Sequence, residues 1–228
     1  CHKLGYKVIT CDYLPDNIAH TYSDEYQYAS TIDKEAVLEI AKRCEIDGIL
    51  TFTDSGVVTA GYVADQLGLP MPGPYESIQI LQNKGLFRKF LAEHGFNVPK
   101  AKSYLSVEQA WGERDEWQYP VIVKPVDSAG SKGVTKVDLS EKLLDAIHFA
   151  LEFSISGEFI IEAWIEKDGC SSDSDCFSLN GEFQILTYSS QRFDSAAPNP
   201  YAPAAYSWPS TMGEKVENEL SIELQRLI

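Results

Sequence analysis

The chain has 228 residues, of which 44% are hydrophobic, 11% aromatic and 23% charged, a balance typical of a globular protein with a sizeable core. This composition excludes collagen-like, low-complexity and largely disordered chains. Nineteen Lys and Arg stand against 34 Asp and Glu, and the resulting net charge of −15 argues against nucleic acid binding, which needs a basic face.

A membrane partner is also not expected, because no apolar run approaches the about 18 residues of a membrane span. The five cysteines form no CxxC pair, and their odd number favours thiols in a reducing compartment. We therefore expect a cytoplasmic protein. An acidic protein can still bind a small anion, since one pocket can combine lysines with glycine-rich backbone.

The first part of the chain predicts an α/β domain. Residues 6–10 and 48–52 have the apolar pattern of buried strands, and residues 33–44 and 56–67 that of helices. Strands separated by such helices favour parallel pairing in an open, doubly wound sheet. Asp54 and Ser55 are expected to cap the second helix. Three prolines and a glycine in residues 69–74 break the pattern, so we expect a first domain at residues 1–74.

The second part, residues 75–228, predicts an antiparallel α+β domain. Asn180-Gly181 between apolar runs indicates a hairpin turn. Residues 194–210, rich in proline, predict an irregular loop. Helices are expected at residues 75–82, 84–95, 140–153 and 213–228, and extended segments at residues 100–105, 120–125, 133–137 and 158–165. The chain opens without Met and stops inside a helical pattern, so we expect a fragment truncated at both ends.

A strand that ends in Lys124 leads into a loop of small residues. Such loops let consecutive backbone N–H groups converge on an anion, and a lysine at the strand end adds the positive charge that a polyphosphate requires. The loop is not a Walker A motif, because GxxxxGK[ST] is absent and a strand follows it. A simple hairpin with an exposed lysine is the alternative interpretation. The candidate loop residues are Ser128, Ala129, Gly130, Ser131 and Gly133.

Two further segments add candidates. Lys84 and Arg88 are four residues apart on one predicted helix, so both cations share a face that could point at the same pocket, although a solvated basic face would have the same pattern. The end of the predicted strand at residues 158–165 can offer backbone groups and apolar contact to the edge of a base, or can be a core strand. The candidates there are Glu162, Ala163, Trp164 and Ile165.

These motifs, in this order, resemble the ATP-grasp superfamily. The matching segments are IDGILTFTDSGVVTAGYVADQLGLPMPGP, NKGLFRKFLAEHGFNVPK, YPVIVKPVDSAGSKGV and FIIEAWI, and the resemblance covers nearly the whole chain. It is specific to carbamoyl-phosphate-synthase-like members with a pre-ATP-grasp domain in front. The resemblance implies an open parallel-sheet pre-ATP-grasp domain at residues 1–74, followed by an ATP-grasp domain at residues 75–228.

The resemblance also implies roles for the candidate residues. Lys84 or Arg88 would contact ATP phosphates, Lys124 would hold the α- and β-phosphates, the loop from Ser128 to Gly133 would cover the β- and γ-phosphates, and residues 162–165 would bind adenine. The implied cofactors are ATP and Mg, and the implied chemistry is activation of a carboxylate as an acylphosphate, followed by attack of an amine or similar nucleophile. No catalytic residue is assigned. No metal ligand is assigned either, because the family's Glu and Glu-x-Asn motif would lie beyond the last residue.

Ser171 departs from the family pattern, since many relatives have there a Glu that contacts ribose. An ATP-binding module without turnover is therefore the alternative to a ligase. A dinucleotide binder, with Asp12 on a ribose, is a third hypothesis that leaves the second half of the chain unexplained. The expected partners are small-molecule carboxylate and nucleophile substrates, with no nucleic acid, no membrane, and a homodimer as a possible assembly.

Overall fold

The computed structural model describes residues 1–228 and shows a mixed α/β fold with three separate sheets. None of its helices is both long and apolar enough to cross a membrane. The strands are β1 (Ile9–Asp12), β2 (Glu25–Tyr28), β3 (Ala101–Tyr104), β4 (Val121–Pro125), β5 (Thr135–Val137), β6 (Phe159–Ala163), β7 (Ser172–Leu179), β8 (Glu182–Phe193) and β9 (Pro203–Ser207). The α-helices are α1 (Lys34–Arg43), α2 (Asp54–Leu67), α3 (Tyr75–Gln82), α4 (Lys84–Glu93), α5 (Val107–Gly112), α6 (Leu143–Leu151) and α7 (Glu214–Leu227).

The first sheet contains β1 and β2, paired in parallel, with α1 and α2 beside them. Helix α1 begins after Asp33, whose carboxylate accepts the Ala36 N–H at 3.1 Å. Helix α2 ends at Leu67 and is capped by Gly68, which adopts the left-handed conformation with φ 64°. The two helices bury a small apolar cluster formed by Ala29, Val37, Leu38, Ala41 and Val63.

Three details of this region differ from the prediction. The buried strand expected at residues 48–52 is wrong: this segment joins no sheet, and Leu50 and Phe52 are 68% and 97% exposed. An apolar run becomes a strand only when a neighbouring strand pairs with its backbone N–H and C=O groups. Here β1 pairs with β2 instead. The polar sequence of β2, Glu-Tyr-Gln-Tyr, did not indicate a strand. Thr53, rather than Asp54 or Ser55, occupies the N-cap of α2, and Asp54 is the first helical residue, where a carboxylate faces the positive end of the helix dipole.

The second sheet is fully antiparallel, as expected, with strand order β3-β6-β4-β5. Helix α6 and the segment around α5 cover one face and form the main core with Val121, Val123 and Phe159, which are fully buried. Because side chains alternate along a strand, Ile122 and Lys124 point to the opposite face. The sheet thus presents Lys124 on the face away from the main core.

The third sheet contains β7, β8 and β9 in antiparallel order, with α7 packed on β8. Asn180 and Gly181 both have positive φ, 54° and 78°, as a two-residue type I′ hairpin requires, which confirms the predicted turn. The irregular loop expected at residues 194–210 is partly wrong, because β9 lies within it and pairs with the end of β8. The predicted C-terminal helix is confirmed as α7, which Tyr188 contacts through a 2.7 Å hydrogen bond to Ser221.

Helix α2 packs closely on α3 across the proline-rich segment. A methyl group on Gly61 would lie 2.7 Å from Ile78 Cδ1, so any larger residue would require the end of the Ile78 side chain to move. The next helix, α4, begins after Asn83, whose side chain accepts the Leu86 N–H at 3.0 Å. The backbone N–H of Lys84 donates to the carbonyl of Val126 at 2.9 Å, which ties the start of α4 to the end of β4.

Candidate functional site

A cleft of about 510 Å³ lies beside the end of β4, between the loop that follows this strand and the connection from β8 to β9. Four lysines line it, and Asp54 is the only acidic residue among the lining side chains. A concentration of cations in a chain with a net charge of −15 indicates a site for an anion. The lysines are Lys84, Lys124, Lys132 and Lys167.

A buried carboxylate holds one of these lysines in place. Glu162, on β6, is 5% exposed and accepts Arg88 Nε at 2.7 Å through one oxygen, and Lys124 Nζ at 2.5 Å through the other. Burial alone would raise the pKa of Glu162, but the charges and hydrogen bonds of Lys124 and Arg88 outweigh it and hold this pKa below its usual value. Glu162 therefore remains ionised and fixes the ammonium of Lys124 at the cleft.

Lys84 has a different environment. Its ammonium donates to the carbonyl of Ser128 at 2.6 Å and forms no ion pair with a carboxylate. Burial, and then the charge of Lys124, lower the pKa of Lys84 from its usual value. Two neighbouring cations that repel each other, one of them without a counter-ion, are stabilised when an anion enters the cleft.

The loop after β4 offers a second kind of anion-binding group. Gly130, Ser131 and Gly133 have positive φ values of 68°, 55° and 70°, so the chain turns sharply there. None of the six backbone N–H groups from Ser128 to Gly133 makes a hydrogen bond of good geometry with a protein acceptor. Consecutive N–H groups in such a turn form a concave nest that binds anions.

The structure brings most of the predicted phosphate-binding residues together and separates two of them. Arg88 does not line the cleft, since its guanidinium lies behind Lys124 on Glu162. Gly133 lies beneath the loop, where a methyl group would be 3.1 Å from Phe153 and Pro125. The residues of the prediction that line the cleft are Lys84, Lys124, Ser128, Ala129, Gly130, Ser131 and Trp164.

The four residues proposed to bind adenine occupy different positions. Glu162 and Ala163 end strand β6, and the Ala163 N–H donates to the carbonyl of Lys100 at 2.8 Å. The Trp164 N–H donates to the carbonyl of Pro120 at 3.2 Å. Ile165 is 64% exposed, and its N–H donates to no backbone carbonyl. The backbone donor that remains available in this stretch is therefore that of Ile165.

Sequence reasoning missed several residues of the cleft. Lys132 lies in the loop motif, but no individual role was predicted for it. No sequence pattern indicated Lys167, because only the fold brings it to the cleft, where its ammonium lies 4.0 Å from the ring centroid of Phe193. The counter-ion role of Glu162 was also missed. Arg88 and Glu162 are 74 residues apart in sequence, so no local pattern connects them.

Ser171, the departure from the family pattern, does not line the cleft, and its carbonyl accepts the Gln191 N–H at 2.7 Å. No group of three or more His, Cys, Asp and Glu side chains comes together in the structure as a metal site would require. The geometry supports binding of a polyanion by lysines and backbone N–H groups.

Comparison with known proteins agrees with this geometry. The family model described as an ATP-grasp domain matches residues 81–227. The carbamoyl phosphate synthase large chain of Thermotoga neapolitana is 25% identical over 98% of this chain, which spans 20% of that relative. Solved structures that share the fold include an L-amino acid ligase from Bacillus licheniformis (20% identity, TM-score 0.76, 98% of this chain and 53% of that one). A second is N5-carboxyaminoimidazole synthetase from Staphylococcus aureus complexed with ADP (18% identity, TM-score 0.73, 98% and 57%).

The chain thus spans about one fifth of the carbamoyl phosphate synthase relative and about half of each of these solved structures. The region matched by the family model contains every predicted phosphate-binding residue, from Lys84 to Gly133, and the stretch at residues 162–165 that was predicted to bind the base. This chain belongs to the ATP-grasp family.

Proposed function

We propose that the lysine-lined cleft binds ATP and that the chain is part of a ligase, which activates a carboxylate as an acylphosphate for attack by an amine or similar nucleophile. The observation that carries this proposal is the combination, in one cleft, of four lysines with the five loop residues from Ser128 to Lys132, whose backbone N–H groups have no acceptor of good geometry. The Staphylococcus aureus synthetase, which shares the fold, was solved with ADP.

The residues of the cleft fit the parts of a nucleotide. Lys124, held by Glu162, and Lys84 face the same space and can neutralise adjacent phosphates. The loop from Ser128 to Gly133 can donate its N–H groups to the phosphate oxygens. The N–H of Ile165 can donate to a base whose face lies near Trp164.

Bound ATP would supply the phosphoryl group that the carboxylate receives. The chain's own contribution to such a transfer is positioning and electrostatic stabilisation, because charge on the transferred group is spread over its oxygens. Ammonium groups stabilise this charge best when they are already in place and need not rearrange during the reaction. The ion pair with Glu162 holds Lys124 in such a fixed position. No three carboxylates come together in this chain as an Mg site would require.

We also propose that residues 1–74 form a pre-ATP-grasp domain and residues 75–228 an ATP-grasp domain. The parallel pair β1-β2 with α1 and α2 supports the first part, and the family match, which begins at residue 81, supports the second. Small-molecule carboxylate and nucleophile substrates are part of the same proposal. The cytoplasmic location and the homodimer stay predictions.

An ATP-binding module without turnover is the second candidate. The observation that favours it is Ser171, which stands where many relatives have a ribose-binding Glu and which lies outside the cleft. The two candidates make the same prediction for ATP affinity and opposite predictions for ADP release.

The test, made with the full-length protein, is release of ADP from ATP and Mg with a panel of carboxylates that includes bicarbonate and L-amino acids, with ammonium as nucleophile. A ligase gives ADP release that requires a carboxylate and is lost in Lys124→Ala but kept in Lys215→Ala, whose side chain is 89% exposed. Saturable ATP binding with no ADP release for any carboxylate supports the binding module. Wild-type protein that does not bind ATP overturns both.

A further inference from the structure

We propose that Asn199 and Tyr201 are positioning residues, which hold the loop of residues 128–133 over the cleft and thereby set the affinity for the nucleotide. This inference rests on the proposed function for its ligand. The segment from Asn199 to Tyr201, here named the clasp, lies between β8 and β9, far from the loop in sequence. Tyr201 and Pro200 also line the cleft.

The clasp contacts the loop through three hydrogen bonds at its sharpest turn. The side-chain amide of Asn199 donates to the carbonyl of Ser131 at 3.2 Å and, more weakly, to that of Gly130 at 3.4 Å. The hydroxyl of Ser131 donates to the carbonyl of Tyr201 at 3.0 Å. These bonds satisfy the carbonyls of Gly130 and Ser131 and leave the N–H groups of the loop available for a ligand.

Two more hydrogen bonds stabilise the clasp itself and its attachment. The carbonyl oxygen of the Asn199 side chain accepts the Tyr201 N–H at 3.1 Å, which closes a local turn. The hydroxyl of Tyr201 accepts the N–H of Lys136, on β5, at 3.1 Å. The clasp is therefore anchored to the strand that follows the loop.

The loop has few other means of holding this shape. Its six N–H groups make no internal hydrogen bond of good geometry. Ser131 has a left-handed backbone conformation, which residues other than glycine and asparagine rarely adopt. At its other end the loop is attached by Lys84, which donates to Ser128. Without the clasp the turn at Gly130 and Ser131 would sample other conformations, and a nucleotide would have to order it on binding.

The variants remove these bonds separately. Asn199→Ala removes both donors to the loop, and Asn199→Asp keeps the size and the acceptor for the Tyr201 N–H but not the donors. Tyr201→Phe removes only the bond to Lys136. The matched controls are Asn97→Ala and Tyr22→Phe, at exposed positions whose side chains make no hydrogen bond in the structure. Thermal unfolding first establishes that every variant is folded.

The first measurement is limited proteolysis with trypsin at the Lys132–Gly133 bond without nucleotide, which tests the clasp whether or not ATP binds. We expect cleavage there to be about tenfold faster in both Asn199 variants, with a smaller increase in Tyr201→Phe, because each lost hydrogen bond raises the population of the open loop about two- to tenfold. Cleavage after Lys89, on α4, should stay at the wild-type rate. A general loss of stability would instead accelerate cleavage there as well.

The second measurement is calorimetric titration of ATP, in which the Asn199 variants should bind about tenfold more weakly and the controls like wild type. Cleavage at Lys132 within twofold of wild type in both Asn199 variants overturns the proposal. Faster cleavage of the loop with unchanged ATP affinity also overturns it, because the clasp would then hold the loop without influencing the ligand. If wild type binds no ATP, the proposed function fails, and the proteolysis result alone decides whether the clasp holds the loop.

Discussion

Glu162→Gln is the substitution that tests the centre of the cleft most severely, because it removes the charge that holds Lys124 and Arg88. The Glu162 side chain is 6% exposed, and those of Lys124 and Arg88 are 17% and 29% exposed. Removal of one partner from a buried ion pair costs about 3 to 5 kcal/mol. The glutamine oxygen can still accept one of the two hydrogen bonds, so we expect the lower end, about 3 kcal/mol, or a fall of roughly 6 to 12 °C in the melting temperature.

The assay is urea denaturation followed by far-ultraviolet circular dichroism, with Glu39→Gln as the matched control. Glu39 forms an ion pair with Lys42 at 2.9 Å, but its side chain is 71% exposed, so its loss should cost less than about 1 kcal/mol. A Glu162→Gln variant as stable as this control would refute the reasoning.

The pH dependence of Glu162 has a definite sign. Because its pKa is lowered on folding, the stabilisation is complete above the unfolded pKa of about 4.3 and is lost as the pH falls through the folded value. The difference in stability between wild type and Glu162→Gln should therefore shrink in acid. A difference that grows as the pH falls would contradict the assigned ionisation.

Two further predictions concern residues near the cleft and at the edge of the sheet. Gly133→Ala should destabilise the fold by about 2 to 4 kcal/mol and Gly130→Ala by about 1 to 2 kcal/mol. Both glycines have positive φ, but only at position 133 would the added methyl group lie 3.1 Å from Phe153. Equal losses of stability in thermal unfolding would contradict this packing. The hydrogen bond from Lys102, with those of two neighbouring side chains, lowers the pKa of Glu113 to about 2. Unfolding measured from pH 6 to pH 2 should therefore show that wild type loses stability in acid more steeply than Glu113→Gln. Parallel stability curves would show that Glu113 is not held as an anion.

Local patterns predicted the parts of the fold that local chemistry determines. The Asn180-Gly181 turn needs two residues that accept positive φ, and this pair is the sequence that provides them. The apolar run before Lys124 predicted a strand that leads into the loop of small residues, and β4 is that strand. The antiparallel pairing of β3, β6, β4 and β5 was likewise predicted from short extended segments.

Pairing over long distances could not be predicted in the same way. Residues 48–52 have the composition of a buried strand, yet β1 pairs with the polar β2. Similarly, β9 lies in a proline-rich segment and exists because β8 extends far enough to pair with it. Whether a segment becomes a strand depends on the neighbour that accepts its hydrogen bonds, which the segment's own residues do not encode.

The candidate site shows the same division. Lys84, Lys124 and the loop were recognised from residue types and spacing. The roles of Glu162 as counter-ion and of Asn199 as a contact of the loop depend on side chains 74 and 68 residues from their partners. Charge pairs and loop contacts of this kind are properties of the folded chain.

Calorimetric titration of ATP and Mg into wild type, Lys124→Ala and the exposed control Lys215→Ala tests the central claim most directly. Lys124 should contribute a charge-assisted contact, so its removal should weaken binding by about ten- to a hundredfold, whereas Lys215→Ala should bind like wild type. Circular dichroism would verify that each variant is folded. ATP binding by folded wild type that is indifferent to Lys124, or no binding at all, would contradict the assignment of the cleft as a nucleotide site.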